Sequence, residues 1–307
     1  MTEGTPPFVS VVVPARNAER TVGECLESLM RVDYHPERRE ILVVENGSTD
    51  RTGEIIRRYP VRCLFEPRRG VSAARNRGVE AARGEIVAFT DADCVVTRRW
   101  LRELVRGFEA PDVWAVAGEI VAYPPRTPAE RYLARRKARW QESAVGSGRP
   151  FAVTSNVAFR RQTFERLGMF DTRLIKAQDK DFGWRFYADG DLRLAYSPEA
   201  LVLHRHRPTA WKLFTQHVGW GYGAALLHRK HGLPWSLRLE LRKQGELLGA
   251  VGALAAAGVR YGVGGGDGTV LRDQGFELVR RLGLRAGALY GLATARRRVA
   301  PVKGEAR

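Results

Sequence analysis

Four short apolar runs, with helix-period segments between them, constrain this chain more than any other feature. Val9-Ser10-Val11-Val12-Val13 is rich in β-branched residues and is closed by Pro14. Glu40-Ile41-Leu42-Val43-Val44, Val61 to Phe65 and Ile86-Val87-Ala88-Phe89 follow it, each after room for one helix. In the first interval Val22, Cys25, Leu26, Leu29 and Met30 recur at i, i+3, i+4, i+7 and i+8, which is one face of a helix. A second helix is expected up to about Tyr59. A third, from Val71 to Arg83, has a small-residue face and is stopped by Gly84. Strands that are apolar throughout, rather than alternating, belong to sheets covered on both faces. The order β-α-β-α-β-α-β with such strands predicts an α/β fold built on a doubly wound, mostly parallel sheet flanked by helices.

The fourth run ends in Asp91-Ala92-Asp93. Ligands of open α/β sheets gather in the crevice beyond the carboxyl ends of the strands. Two carboxylates held there suit a hard divalent cation that keeps waters and binds substrate phosphates. A nucleoside diphosphate is the expected ligand class. Taken alone the pair is a weak signal, because solvated turn carboxylates share it. A nucleotidyl- or phosphoryl-transfer enzyme would need a Gly-rich loop or a Walker lysine after strand one, and this loop reads Pro14-Ala15-Arg16-Asn17.

The pattern changes after Asp93. An amphipathic helix is expected over Trp100 to Phe108, strand pairs over Val113 to Val121, and an Arg-rich helix over Ala129 to Glu142. Arg131, Arg135 and Arg139 would form one basic stripe on that helix. A short strand over Ala152 to Arg160, a brief helix ending at Gly168 and a helix from Asp179 to Gly190 come next. Leu192 to Tyr196 and Ala200 to Leu203 read as edge strands. From Trp211 onward the chain is strand-poor and helical. Its apolar segments, Leu247 to Val259 and Leu282 to Thr294, fall short of the roughly 18 uninterrupted apolar residues of a spanning helix.

The formal net charge is +17, and the stretch from Ala200 to Arg307 holds 18 Lys and Arg against 6 Asp and Glu. Such a basic C-terminal third fits an anionic partner: a membrane surface, a lipid phosphate or nucleic acid. The alternative is a solvated basic face that serves solubility. No helix-turn-helix, zinc finger or aromatic RNA-binding signature accompanies the charge, so nucleic acid is not expected. Trp140, Trp211, Trp220 and Trp235 could equally sit at a membrane interface or be buried. No basic-then-apolar leader opens the chain, so a cytoplasmic location, peripheral to the inner membrane face, is expected. Cys25, Cys63 and Cys94 are far apart and without a CxxC or Cys/His cluster, so they read as small buried residues in a reducing compartment, not as a zinc site.

Four blocks line up in order: Val11 to Asn17, Val43-Val44-Glu45-Asn46-Gly47-Ser48-Thr49-Asp50, Ala73-Ala74-Arg75-Asn76-Arg77-Gly78, and Thr90 to Asp93. Ser155-Asn156-Val157-Ala158-Phe159-Arg160, Phe164 to Asp171, and Gln178-Asp179 to Arg185 follow. Together they resemble the family 2 glycosyltransferases with the GT-A fold, over about Val9 to Arg207. The resemblance implies a GT-A nucleotide-sugar-binding and catalytic domain over 1–207, with a basic, mostly helical C-terminal region over 208–307. It implies an inverting, divalent-metal-dependent enzyme of hexosyltransferase type, using Mn2+ or Mg2+. The donor would be a UDP- or GDP-sugar, and the acceptor a hydroxyl of a glycan or lipid-linked molecule.

Residue by residue, the resemblance places Pro14, Ala15, Arg16, Asn17, Glu45, Arg75, Asp91 and Ala92 at the donor nucleotide. Glu45 stands where relatives usually carry aspartate, and its alternative role is a capping carboxylate. Asp93 is implied as metal ligand, with Asp91 contacting the ribose or a metal water, and His204 matches a third ligand of some relatives. Asp179 matches the base that takes the acceptor proton. Relatives have Glu-Asp there, and this chain has Gln178-Asp179. Asp181 is the competing base, about 200° from Asp179 on a helix, so only one of the two can face the site. Gln178 and Trp184 fall on the acceptor side; Trp184 either stacks on a sugar or packs in the core. Two further readings stay open: a degenerate relative that binds nucleotide-sugar without transfer, and a basic binder of nucleic acid or another anionic polymer.

Overall fold

The computed structural model describes residues 5–137, 140–233 and 237–294. In chain order the first elements are β1 (Val9–Ala15), α1 (Val22–Met30), β2 (Arg39–Glu45), α2 (Thr52–Ile56), β3 (Arg62–Phe65), α3 (Val71–Ala81), β4 (Ile86–Thr90), β5 (Cys94–Val96) and α4 (Trp100–Arg106). Then come β6 (Val113–Ala122), α5 (Pro128–Arg136), α6 (Trp140–Val145), β7 (Asn156–Arg160), α7 (Gln162–Leu167), α8 (Gln178–Asp189) and β8 (Arg193–His204). Three long helices close the described chain: α9 (Ala210–Lys230), α10 (Leu237–Gly262) and α11 (Gly268–Thr294). The chain divides into two compact units. One comprises Met1–Pro124, Lys137–Thr172 and Gln178–Arg205; the other comprises Pro125–Arg136, Arg173–Ala177 and His206–Arg307.

The first unit is an eight-stranded sheet in the order β3-β2-β1-β4-β7-β6-β8-β5. β1 runs parallel to β2 and β4, and β2 parallel to β3, as the apolar runs predict. β7 and β5 run against their neighbours. One face of the sheet packs on α1 through Val22, Cys25, Leu26 and Leu29, all inaccessible to solvent. On the other face Phe89, Phe159, Phe164, Phe170 and Phe182 meet edge-on or tilted, with Phe170 and Phe182 centroids 4.8 Å apart. Aromatic pairs prefer these geometries to face-to-face stacking.

α3 lies closer to the sheet than an ordinary helix could. A Cβ at Gly78 would collide with the Val12 side chain, so glycine is required by the approach and not by a turn. Asn76, two residues earlier, donates to the Phe170 carbonyl at 2.8 Å and accepts the Phe170 N–H at 3.0 Å, which ties the loop after α7 to α3.

Asn156 opens β7 with no solvent exposure. Its Nδ2 donates to the Glu119 and Ala200 carbonyls, each at 2.7 Å, and its Oδ1 accepts the Trp100 indole N–H at 2.8 Å. The β6–β8 register shifts between Gly118 and Ile120, where the ladder cannot satisfy every carbonyl, and Asn156 fills the gap. Asn156→Ala is expected to lower unfolding free energy by about 3 kcal/mol, since each buried polar group left unpaired costs roughly 1–3 kcal/mol. Urea unfolding monitored by tryptophan fluorescence measures it, and a loss below 1 kcal/mol would mean that water replaces the amide.

Several expectations need correction. Val113 to Ala122 is one strand, not a pair. Leu192 to Tyr196 and Ala200 to Leu203 join into the single β8, flanked by β6 along its length and by β5 at its end, so it is not an edge. β3 is the exposed edge instead: Phe65 is 62% exposed, and Cys63 lies on the surface where burial was expected. The Arg-rich helix is described as two helices, α5 and α6, which fall in different units.

The second unit is held by α9 and α11. Gly221, Gly283, Gly287 and Gly291 form a seam along which the two backbones approach too closely for any side chain. α5 docks beside it through Tyr132 and Leu133 against Leu213, Phe276 and Val279. Arg135 pairs with both carboxylate oxygens of Asp273, and Glu277 gathers Arg136, Arg280 and Arg281. Glu277 is held down to about 2: burial raises its pKa, and hydrogen bonds from Arg280 and Tyr132 more than reverse that. Arg135 is thus committed to a protein carboxylate rather than to a free basic stripe; Arg139 and Trp235 lie outside the described residues. Among the described residues no helix is long and apolar enough to cross a membrane.

Candidate active site

The site is built on the rim where β1, β2 and β4 end together. Ala15 pairs with Glu45, and the loops that follow are knitted side by side. Asn17 adopts φ +50, rare for a residue with a side chain. In that pose its Oδ1 accepts the Thr49 N–H at 2.9 Å, and its own N–H donates to Ser48 Oγ at 3.1 Å. Pro14 is half-buried, Ala15 buried and Arg16 exposed. Glu45 accepts the Ser48 N–H at 2.5 Å, so its carboxylate caps its own loop. Buried Asn46 donates to the Glu66 and Arg68 carbonyls and accepts the Gly70 N–H, fixing the entry to α3.

Arg75 projects from α3 to the end of β4. It is 2% exposed, and its Nη2 donates to Asp91 Oδ1 at 2.7 Å. Its Nε and Nη1 are buried with no hydrogen-bond partner. A buried guanidinium with two nitrogens unanswered is costly unless something anionic or polar completes it. The arrangement is that of a donor fork held ready for a ligand oxygen.

Asp91 and Asp93 face different partners. Asp91 faces Arg75, while Asp93 Oδ1 lies 3.7 Å from His204 Nε2. β5 and β8 pair antiparallel with Cys94 opposite His204, and the Arg205 N–H donates to the Asp93 carbonyl at 3.1 Å. Asp93, Cys94 and His204 bring one donor atom each to within 4.8 Å of one another. A carboxylate oxygen and an imidazole nitrogen at this spacing fit a divalent cation of the Mn2+ kind, so Asp93 and His204 would hold it. The convergence of Cys94 with His204 corrects the expectation that no Cys/His cluster exists. The two residues are far apart in sequence, and only the strand register joins them. Burial raises the pKa of the Cys94 thiol well above its usual value, and the Asp93 and Asp91 charges raise it further.

α8 carries the two candidate bases, Asp179 and Asp181, in its first turn. Ala177, just before it, has φ +65, and such strain clusters at functional sites. Gln178 is buried with its Oε1 unpartnered. Asp179 is half-buried and borders a cavity of about 420 Å3, together with Ala152, Thr154, Phe182, Gly183 and Tyr187. The pKa of its carboxyl is raised, chiefly by loss of water, against opposition from the Lys180 N–H and the nearby Arg75 charge. Asp181 is fully buried and paired with Arg185 at 3.2 Å, and Arg185 also holds the Leu167 and Met169 carbonyls. Asp181 therefore serves the core. Trp184 is half-buried, with the Arg149 guanidinium 5.1 Å from its ring centroid, and does not line the cavity.

A doubly wound sheet whose nucleotide-type rim carries paired aspartates, closed by a mixed half-sheet and a capping helix, defines the GT-A class of α/β fold. The chain belongs to glycosyltransferase family 2, whose family model, Glycosyl transferase family 2, matches residues 10–168. It is 33% identical to glycosyltransferase AglE of Haloferax volcanii over 66% of this chain and 69% of that protein. It is 30% identical to the pre-mycofactocin glycosyltransferase of Mycobacterium tuberculosis, covering 73% of this chain and 48% of the relative. Against glycosyltransferase EpsJ of Bacillus subtilis the identity is 28% over 66% of this chain and 62% of the other, so the chain spans less than two thirds of these last two relatives. Among solved structures, mannosyltransferase PcManGT from Pyrobaculum calidifontis superposes with a TM-score of 0.63 at 24% identity, over 94% of this chain and 88% of that one. Glucosyl-3-phosphoglycerate synthase from Mycobacterium tuberculosis gives a TM-score of 0.56 at 22% identity, over 75% of this chain and 80% of that one.

Proposed function

We propose that this chain is an inverting hexosyltransferase that moves a sugar from a UDP- or GDP-sugar to a hydroxyl of a glycan or lipid-linked acceptor. The observation that carries the reading is Arg75: buried, paired with Asp91, near enough to Asp179 for its charge to oppose the rise of that carboxyl's pKa, and with Nε and Nη1 left to donate. PcManGT is described with GDP-Man and Mn2+, and the glucosyl-3-phosphoglycerate synthase with Mn2+ and UDP, which supports the same ligand class here.

Pro14 to Asn17 and Glu45 line the base and ribose end of the donor site. Arg75 would hold the diphosphate through its Nε and Nη1, and Asp93 and His204 would hold Mn2+ or Mg2+, with Asp91 oriented by Arg75. The metal, when bound, offsets the negative charge of the diphosphate leaving group. Asp179 accepts the proton of the acceptor hydroxyl as that oxygen bonds to the anomeric carbon. The anomeric C–O bond breaks, its electron pair leaves with the nucleoside diphosphate, and configuration inverts. The acceptor enters by the cavity beside Asp179, and its apolar wall favours an acceptor with an apolar portion. Leu248, Val251, Val259, Tyr261 and Val263 are exposed along and just after α10, and with the basic C-terminal third they support contact with an anionic membrane surface.

Melting temperature measured against UDP, GDP and their sugars, with Mn2+ or with EDTA, tests the donor assignment. One nucleoside diphosphate is expected to stabilise the protein by about 2.7 kcal/mol at a hundredfold excess over its dissociation constant. EDTA should reduce that shift. A flat response to every nucleotide would overturn the assignment and leave a binder of other anions.

A further inference from the structure

We propose that Cys94 is a third protein donor of the metal centre, making it a mixed oxygen, nitrogen and sulfur site that prefers a thiophilic divalent cation, Zn2+ or Co2+, over Mn2+ and Mg2+. The proposal rests on Asp93 and His204 as metal-holding residues and adds the selectivity of that same site.

Three observations carry it. Asp93 Oδ1 lies 4.0 Å from Cys94 Sγ and 3.7 Å from His204 Nε2, and all three donor atoms fall within 4.8 Å of one another. A tetrahedral zinc centre with oxygen and nitrogen at about 2.0–2.1 Å and sulfur at about 2.3 Å has ligand–ligand edges of roughly 3.3–3.8 Å, so small side-chain shifts close the set. This is the one group of three or more His, Cys, Asp or Glu found at such spacing among the described residues. Finally, the placement is imposed by the backbone: the β5–β8 register sets Cys94 opposite His204, and the Arg205 N–H holds the Asp93 carbonyl.

Cys94 is 1% exposed, so its sulfur is poorly placed to be a nucleophile or a redox handle. A thiol that coordinates a divalent cation gives its proton to solvent and binds as thiolate. Soft thiolate ligands favour Zn2+ and Co2+, whereas Mg2+ and Mn2+ prefer oxygen. Three protein donors leave further positions for diphosphate oxygens or water, as a catalytic centre needs.

The test is direct binding of Co2+ and Zn2+ to the full chain without nucleotide. Co2+ should produce an intense near-ultraviolet sulfur-to-metal charge-transfer band. That band should vanish in Cys94→Ser and persist in Cys25→Ser and Cys63→Ser. Zn2+ should bind the wild type at least about tenfold more tightly than Mn2+, and Cys94→Ser should reduce that preference. X-ray absorption at the zinc edge of the wild type should find one sulfur at about 2.3 Å and needs no variant to fold. Bound Co2+ or Zn2+ with no sulfur in its shell would overturn the Cys94 proposal and leave the Asp93–His204 site standing. Metal binding unaffected by Asp93→Asn would overturn the site itself.

Discussion

Asp93→Asn is expected to abolish sugar transfer and to remove the metal-dependent part of nucleotide binding. The substitution keeps size and hydrogen-bonding capacity but deletes the anionic oxygen that faces His204. Removing several kcal/mol of transition-state charge stabilisation, taken as about 4, slows the reaction by roughly a thousandfold. The measurement is kcat/KM with the best donor, alongside the nucleotide-induced melting shift in Mn2+. Asp93 lies at a β4–β5 turn and is not packed in the core, so the unliganded melting temperature should hardly move. Transfer within tenfold of wild type would remove Asp93 from the metal site and direct attention to Asp91.

Asp179→Asn should behave in the opposite way: donor binding kept, transfer lost. A positioned general base contributes typically about 10²–10⁴-fold, and that loss should appear in kcat with the nucleotide melting shift intact. The pH profile gives an independent readout. Asp179 works deprotonated, and burial raises its pKa. As pH falls through that raised value the carboxylate takes up a proton, so the acid limb of kcat/KM should lie above the ordinary carboxylate range. The limb should be missing from the residual activity of the variant. The linkage to stability has a fixed sign. A carboxyl whose folded pKa is raised stabilises the fold below its unfolded pKa, and that contribution is lost as pH rises through the folded value. The asparagine variant should therefore be at least as stable as wild type at neutral pH. Full turnover by the variant would sink the assignment of the base, and Asp181 would not replace it, since Arg185 holds that carboxylate in the core.

The parallel half of the sheet was legible because β1, β2 and β4 are buried on both faces and read as unbroken apolar runs. Asp91, Asp93 and Asp179 stand out in the sequence because each sits at an element end, and Arg75, inside α3, because it lies in a short block of neighbours. The other half was less so. Joining Leu192–Tyr196 to Ala200–Leu203 depends on β6 and β5 supplying partners, and strand pairing leaves little trace in local periodicity. The meeting of Cys94 with His204 has the same origin. Asp181 shows a different limit: helical spacing says that Asp179 and Asp181 diverge, but which of them turns inward depends on where Arg185 finds its carbonyls.

The bare backbone at Gly78 does more than admit a helix. Arg75 stands one turn before it on α3, so the depth to which that helix sinks against Val12 also sets how far the guanidinium reaches past the end of β4. A stop in the core thereby acts as a gauge for the rim. One added carbon would lift the helix and withdraw the fork from Asp91, altering the donor site from a position that touches no ligand.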